Sequence, residues 1–178
     1  KGTNVLAVDV LSTEKKLTAT QYGSITNKAA LEFFVNYTKA TKNVSGTVYY
    51  NGVEFDVSKA DEIVAVYDGS KPIAVKAVKY KDGKVTGVYP YRSAIYVDGT
   101  RLDLGDLDEV IYQGAVEKFA DIKEGDLVYY IYDDINDHAI VNVVRDTYTG
   151  TLKEITYDGK LKIDDKVFTA TAAALSDA

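Results

Sequence analysis

The sequence predicts an all-β protein made of tandem small β-barrel or sandwich-like modules, with at most one or two short helices. Three observations lead there. Short runs of β-branched and aromatic residues alternate with clusters of Gly, Asp, Asn and Pro, the pattern of strands joined by tight turns. Helical periodicity is scarce. One segment also occurs twice without a gap: Asn51-Gly52-Val53-Glu54-Phe55-Asp56-Val57, followed by Asp61-Glu62-Ile63-Val64, returns 47 positions on as Asp98-Gly99-Thr100-Arg101-Leu102-Asp103-Leu104, followed by Asp108-Glu109-Val110-Ile111. The copies share Gly52/Gly99, Asp56/Asp103, Asp61/Asp108 and Glu62/Glu109, and their apolar positions are in phase. Repetition of a supersecondary unit marks a serial architecture.

In chain order, Val5–Val10, a turn over Ser12–Lys16 and Leu17–Thr20 read as an opening hairpin. Asn27 to Thr38 is the best helix candidate, with Asn27 as a cap and Ala30, Leu31 and Phe34 at helical spacing. Ile63–Tyr67 and Ile73–Tyr80 are strands around Asp68-Gly69-Ser70-Lys71-Pro72. Asp82-Gly83 is suited to a primed hairpin turn. Leu127–Tyr132 and Ala139–Val144 flank the polar turn Asp133–His138, and Tyr157-Asp158-Gly159-Lys160 joins Leu152–Thr156 to Leu161–Ile163. Ala170–Leu175 reads as a short tail helix or a frayed end.

Lys84-Val85-Thr86-Gly87 and Thr147-Tyr148-Thr149-Gly150 each open a strand–turn–strand unit. The first leads to Asp98-Gly99 and the second to Asp164-Asp165, after which Lys166-Val167-Phe168 falls where Val53–Phe55 and Thr100–Leu102 fall earlier. The expected modules are 1–83, 84–147 and an incomplete third, 148–178, packing on its neighbours. Units of this size have marginal cores alone, and closure into small barrels would remove exposed edges.

Composition narrows the function classes. The chain has 178 residues, no cysteine and no methionine, with 21 basic residues scattered among 27 acidic ones for a net charge of −6. Such a surface is unsuited to phosphate backbones. Thiol nucleophiles, disulfides and zinc–thiolate sites have no residues to build them. No apolar run approaches the roughly 20 residues of a membrane-spanning helix. No signal peptide is visible; the absent methionine leads us to expect a piece of a longer polypeptide, and the absence of cysteine fits a bacterial or archaeal exported protein.

Lys123-Glu124-Gly125-Asp126-Leu127-Val128-Tyr129-Tyr130, an acidic turn, a strand ending Val144-Arg145-Asp146, then Thr149-Gly150-Thr151-Leu152 and the Tyr157-Asp158-Gly159 turn together resemble the extracellular repeat region of bacterial S-layer and S-layer-homology surface proteins. The resemblance covers most of residues 46–170. It implies an extracellular, wall-associated protein whose repeats form the lattice portion, while a separate S-layer-homology triplet grips wall polysaccharide. Phe119-Ala120-Asp121-Ile122 echoes the start of such a triplet by four residues only, so no family binding residue is carried over.

Catalytic constellations are poorly supplied. His138 is the only histidine and falls in a turn, which leaves no Ser-His-Asp or multi-histidine set. Paired carboxylates for glycoside hydrolysis are compatible with the acidic composition, but Asp61-Glu62 and Asp108-Glu109 recur as repeat turns. Calcium is the most plausible ion: Asp103, Asp106, Asp108 and Glu109 are close in sequence, as are Asp133, Asp134, Asn136 and Asp137. Neither set matches an EF-hand loop, and solvated acidic turns are the alternative. Fifteen tyrosines offer contact surface; Tyr130 and Tyr132 share a strand face with Val128, whereas Tyr129 points the other way. Asn36-Tyr37-Thr38 and Asn43-Val44-Ser45 match the N-glycosylation pattern.

The expectation is a non-catalytic structural module of an S-layer-like protein at the bacterial cell surface. It would act as spacer or self-association element, with Gly52, Gly99, Gly87 and Gly150 as structural turns. Its partners would be copies of the same protein or other envelope proteins, and polysaccharide is a further candidate. The competing readings are a carbohydrate-binding accessory module of a secreted protein and a hydrolase with acidic catalytic residues.

Overall fold

The structure is a computed structural model that describes residues 12–169; the expected strand Val5–Val10 and tail helix Ala170–Leu175 lie outside them. The chain divides into two compact units between Val78 and Lys79. Strands dominate both, so the all-β expectation is borne out.

Unit 1 runs through β1 (Ser12–Lys16), α1 (Ala19–Gly23), β2 (Glu32–Val35), β3 (Thr38–Lys39), β4 (Thr41–Lys42), β5 (Val48–Tyr50), β6 (Val53–Phe55), β7 (Glu62–Asp68) and β8 (Lys71–Val78). One sheet has the order β1-β7-β8-β2-β3, and β4-β5-β6 forms a separate meander. β7 and β8 are antiparallel, while β2 lies parallel to β8. Alternation places Phe33, Val35, Ile63, Val75 and Ala77 on the core side with Tyr22, Val48 and Val57. Burying a side chain such as Phe33, 2 % exposed, contributes about 2–3 kcal/mol.

Three readings of this region need correction. The segment 27–38 is not a helix. Asn27 sits at φ 56°, a single 3-10 turn follows at Lys28–Ala30, and the chain then enters β2. Phe33, Phe34 and Val35 alternate between core and surface, and parallel pairing to β8 outweighs the short helical spacing ahead of them. Ser12–Lys16 is a strand paired with β7 rather than a turn. The helix instead begins after Thr18, where a capping box with Gln21 satisfies two backbone N–H groups.

Unit 2 contains β9 (Lys81–Tyr89), β10 (Ala94–Val97), β11 (Thr100–Asp103), β12 (Glu109–Gly114), β13 (Leu127–Asp133) and β14 (His138–Val144), then β15 (Leu152–Ile155), β16 (Lys160–Ile163) and β17 (Lys166–Thr169). The larger sheet has the order β11-β10-β9-β13-β14-β12, and β15-β16-β17 is a second meander. The sheets are open, with no closed barrel among the described residues. β9 serves two neighbours: Lys81–Lys84 pairs with β13, and the stretch to Tyr89 pairs with β10. The expected 83/84 boundary falls inside this strand, and so does Asp82-Gly83, which is therefore not a hairpin turn.

The two units share a four-stranded core. β1-β7-β8-β2 and β9-β13-β14-β12 have the same neighbours and the same single parallel pair. Ile63, Val75 and Ala77 take the register places of Val128, Val141 and Val143, all of them buried. Asn36 N–H donates to the Ala77 carbonyl at 2.9 Å, as Ala115 does to Val143 at 2.9 Å. The hairpin named by the sequence repeat lies before β7 in one unit and before β12 in the other. The repeated segment thus ends in a central strand once and in an edge strand once.

The repeat itself is a meander, β4-β5-β6, β9-β10-β11 and β15-β16-β17. Asn51-Gly52 and Asp98-Gly99 make its turn with φ of 49° and 78°, and 48° and 82°, the primed hairpin geometry. Asp164 occupies the same place with φ 51°. Asp98 and Asp164 fold back to accept the Lys84 and Thr151 N–H groups at 3.2 and 3.1 Å. A Cβ on Gly83 or Gly150 would lie 2.3 Å from those aspartates' Oδ2. Gly150 therefore corresponds to Gly83, not to Gly87.

Candidate functional site

The second meander carries a feature its counterparts lack. Gly87 lies opposite Tyr96 across the β9–β10 pair, inside a strand rather than at a turn. A Cβ there would sit 3.1 Å from the Tyr89 ring, so the missing side chain gives the ring its place. Tyr89 and Tyr96 rings are 5.3 Å apart and tilted by 56°. Pro90–Arg92 form a 3-10 turn that ends at Ser93 with φ 46° and leaves Tyr91 fully exposed.

Arg101 lies opposite Tyr96 on β11 and donates to Asp103 Oδ1 at 2.5 Å; this carboxylate raises the guanidinium pKa further. Leu104 N–H donates to the Ser93 carbonyl at 3.0 Å, and a Cβ on Gly105 would stand 2.8 Å from the Arg92 carbonyl oxygen. The 3-10 turn Leu104–Asp106 thus seats closely on Pro90–Arg92. Two adjoining hollows result, both bordered by Arg92 and Arg101. One, of about 510 Å³, includes Tyr91, Asp103 and Asp106; the other, of about 200 Å³, includes Tyr89 and Tyr96.

The register positions of Tyr96 and Arg101 are taken by Tyr49 and Glu54 in the first meander and by Lys162 and Val167 in the third. In the first, Asp56 caps its own 3-10 turn through Ser58 at 3.0 Å, whereas Asp103 makes no side-chain cap and faces Arg101. The cleft is thus a specialisation of one copy. It was legible as two of the chain's three arginines close to Tyr89, Tyr91 and Tyr96, a cluster that charge counting passed over.

A second feature is the outer edge of β12, which has β14 on one side and no strand on the other among the described residues. The corresponding edge in unit 1 is covered, since β3 pairs with β2 there. Charges defend β1 at Glu14, Lys15 and Lys16, while β12 carries only Glu109 and exposes Ile111. Long, weakly charged edges are templates for strand addition.

The remaining candidates resolve as follows. Asp103, Asp106, Asp108 and Glu109 are not brought together: no group of three or more carboxylates or histidines among the described residues is arranged to hold a metal. Asp133 is buried and accepts from Ile135 N–H, Asn136 N–H and Asn136 Nδ2 at 3.2, 3.0 and 2.8 Å, so it orders its own hairpin. Tyr130 is buried and Tyr132 half-buried against the unit 2 core, and burial raises both phenol pKa values; they form core rather than a contact face. Gly52 and Gly99 are the turn residues expected. In unit 1 a cleft of about 370 Å³ lined by Phe34, Tyr37 and Val64 is bordered by the exposed Lys76–Glu14 and Lys16–Glu62 pairs.

Asp126 and Arg145 form the best-defined ion pair. Arg145 Nε and Nη2 donate to the two Asp126 oxygens at 2.9 Å each, and Nη2 also to the Asp121 carbonyl at 2.7 Å. The Lys123 N–H adds a bond at 2.8 Å to the same carboxylate. Arg145, foremost, holds the Asp126 carboxyl below the usual carboxylate range. With Asp126 buried and Arg145 tying the 121–126 turn to the end of β14, this is a structural clasp. Comparison with family models, with curated proteins and with solved structures finds no match for the chain.

Proposed function

We propose that the chain is a non-catalytic structural module of a bacterial cell-surface, S-layer-like protein, acting outside the cell as a spacer or self-association element. The reading is carried by one observation: a four-stranded core used twice in series, with the β12 edge uncovered among the described residues of unit 2 where its counterpart in unit 1 is covered. Further copies of the surface protein, or other envelope proteins, are the partners such an edge suits. The edge strand supplies main-chain donors and acceptors at Val110 and Tyr112, because the Glu109 and Ala115 N–H groups are turned to β14.

Sedimentation velocity of the full chain over a wide concentration range tests this. Association that rises with concentration is expected, and Ile111→Lys, which puts a charge on the exposed face of β12, weakens it at least about tenfold. A chain that stays monomeric at high concentration, or an Ile111→Lys variant that associates as well as the parent, contradicts the proposal. Immunogold labelling of source cells supplies the second test: dense, uniform label over a periodic outer layer is expected, and sparse or released label sinks the lattice role. A carbohydrate-binding accessory module is the second reading, favoured specifically by the cleft around Arg92 and Arg101.

A further inference from the structure

We infer that the cleft formed by Tyr89, Tyr91, Arg92, Tyr96, Arg101 and Asp103 is a binding site for a neutral saccharide. The shared meander does not need these residues, since Glu54 and Val167 stand where Arg101 stands and the other copies keep their pairing. Gly87 and Gly105 both serve this one place, the first by leaving room for the Tyr89 ring and the second by admitting the Arg92 backbone. A larger hollow of about 510 Å³ falls within the roughly 300–1,000 Å³ typical of small-molecule sites.

The chemistry of the lining selects the ligand. A pyranose has an apolar C–H face and a rim of hydroxyls, each of which donates and accepts. Tyr91, exposed on a short 3-10 turn, and the Tyr89–Tyr96 pair offer flat rings that lose little side-chain freedom on contact. Arg101 and Asp103 hold each other at 2.5 Å and present guanidinium N–H donors beside carboxylate acceptors, which suits a pair of neighbouring hydroxyls. Arg92 adds donors and Asp106 acceptors at the rim of the larger hollow. Two cations facing two carboxylates leave no net positive charge for a phosphate or a uronate. The site is open to solvent, as a binder of an extended chain requires.

The proposal is independent of the β12 edge, so monomeric sedimentation leaves it intact. The test is calorimetric and NMR titration of the full chain with cellohexaose and with N-acetylchitohexaose, and with hexagalacturonate as the acidic probe. Saturable binding of a neutral hexaose is expected, with chemical-shift changes centred on residues 87–106. Tyr91→Ala weakens it about tenfold; Tyr157→Ala, which removes an equally exposed tyrosine from a turn outside the cleft, leaves it unchanged. Both side chains are fully solvent-facing, so neither variant disturbs folding. The proposal is overturned if neither neutral hexaose binds saturably, if only the uronate binds, or if Tyr91→Ala binds like the parent.

Discussion

Replacing Arg145 by alanine removes the clasp between the 121–126 turn and the end of β14. It deletes two charge-assisted hydrogen bonds of 2.9 Å to Asp126, one of 2.7 Å to the Asp121 carbonyl and a longer one of 3.4 Å to the Ala115 carbonyl. The Asp126 side chain, 7 % exposed, keeps only the Lys123 N–H at 2.8 Å. A pair with both partners buried would lose about 3–5 kcal/mol on removal of one of them, but only Asp126 is buried here. Because the Arg145 side chain is 36 % exposed and water screens the pair, the loss is that of leaving the buried Asp126 carboxylate short of partners, about 1–3 kcal/mol. In urea, with m near 2 kcal/mol/M, this is a midpoint shift of roughly 0.5–1.5 M in the transition that reports unit 2. The pH dependence has a definite sign. The folded Asp126 carboxyl titrates below its unfolded value, about 3.9, so the unfolded state binds protons more readily and stability rises with pH across that window. The clasp's contribution is therefore complete above the unfolded value and is lost as pH falls through the folded one, where the parent and Arg145→Ala converge. A loss under about 1 kcal/mol at neutral pH, or one that persists unchanged at low pH, refutes the reasoning.

Other perturbations separate conformational strain from close packing. Gly99→Ala at φ +82°, with nothing near its Cβ, costs about 1–2 kcal/mol by backbone strain alone, read as a small midpoint shift with an unchanged spectrum. Gly114→Ala, also at positive φ and with its Cβ 2.3 Å from the Val143 carbonyl oxygen, costs more than about 3 kcal/mol and shifts the β12 and β14 amide resonances. Phe33→Ala opens a cavity in the unit 1 core and lowers stability by about 3–5 kcal/mol. That loss falls on the melting of unit 1.

Strand content was legible because alternation survives locally. Ile63, Ala65, Val75 and Ala77 show it, and the β13–β14 hairpin stands almost at its expected limits. Turns were legible where φ must be positive, as at Gly52, Gly99 and Gly159. Pairing partners were not. The repeated segment runs into the start of Glu62–Asp68 once and of Glu109–Gly114 once, with similar side chains at Glu62-Ile63-Val64 and Glu109-Val110-Ile111. Yet β7 is central and antiparallel while β12 is a parallel edge, because the partner is chosen by distant strands. The segment 27–38 failed for a related reason: its helical spacing is local, whereas the strand it forms is fixed by β8. In the cleft the tyrosines and arginines were visible individually. Their convergence depends on Gly87 and Gly105, whose importance lies in what their missing side chains admit.

Amide hydrogen exchange along β12 as a function of protein concentration tests the claim of an edge used for association most directly. Inward N–H groups at Ile111 and Gln113 are expected to exchange at one slow rate throughout, since β14 protects them. The outward groups at Val110 and Tyr112 exchange fast in dilute solution and slow progressively as copies pair. If Val110 and Tyr112 exchange equally fast at every concentration while the chain still assembles, β12 is not the associating edge.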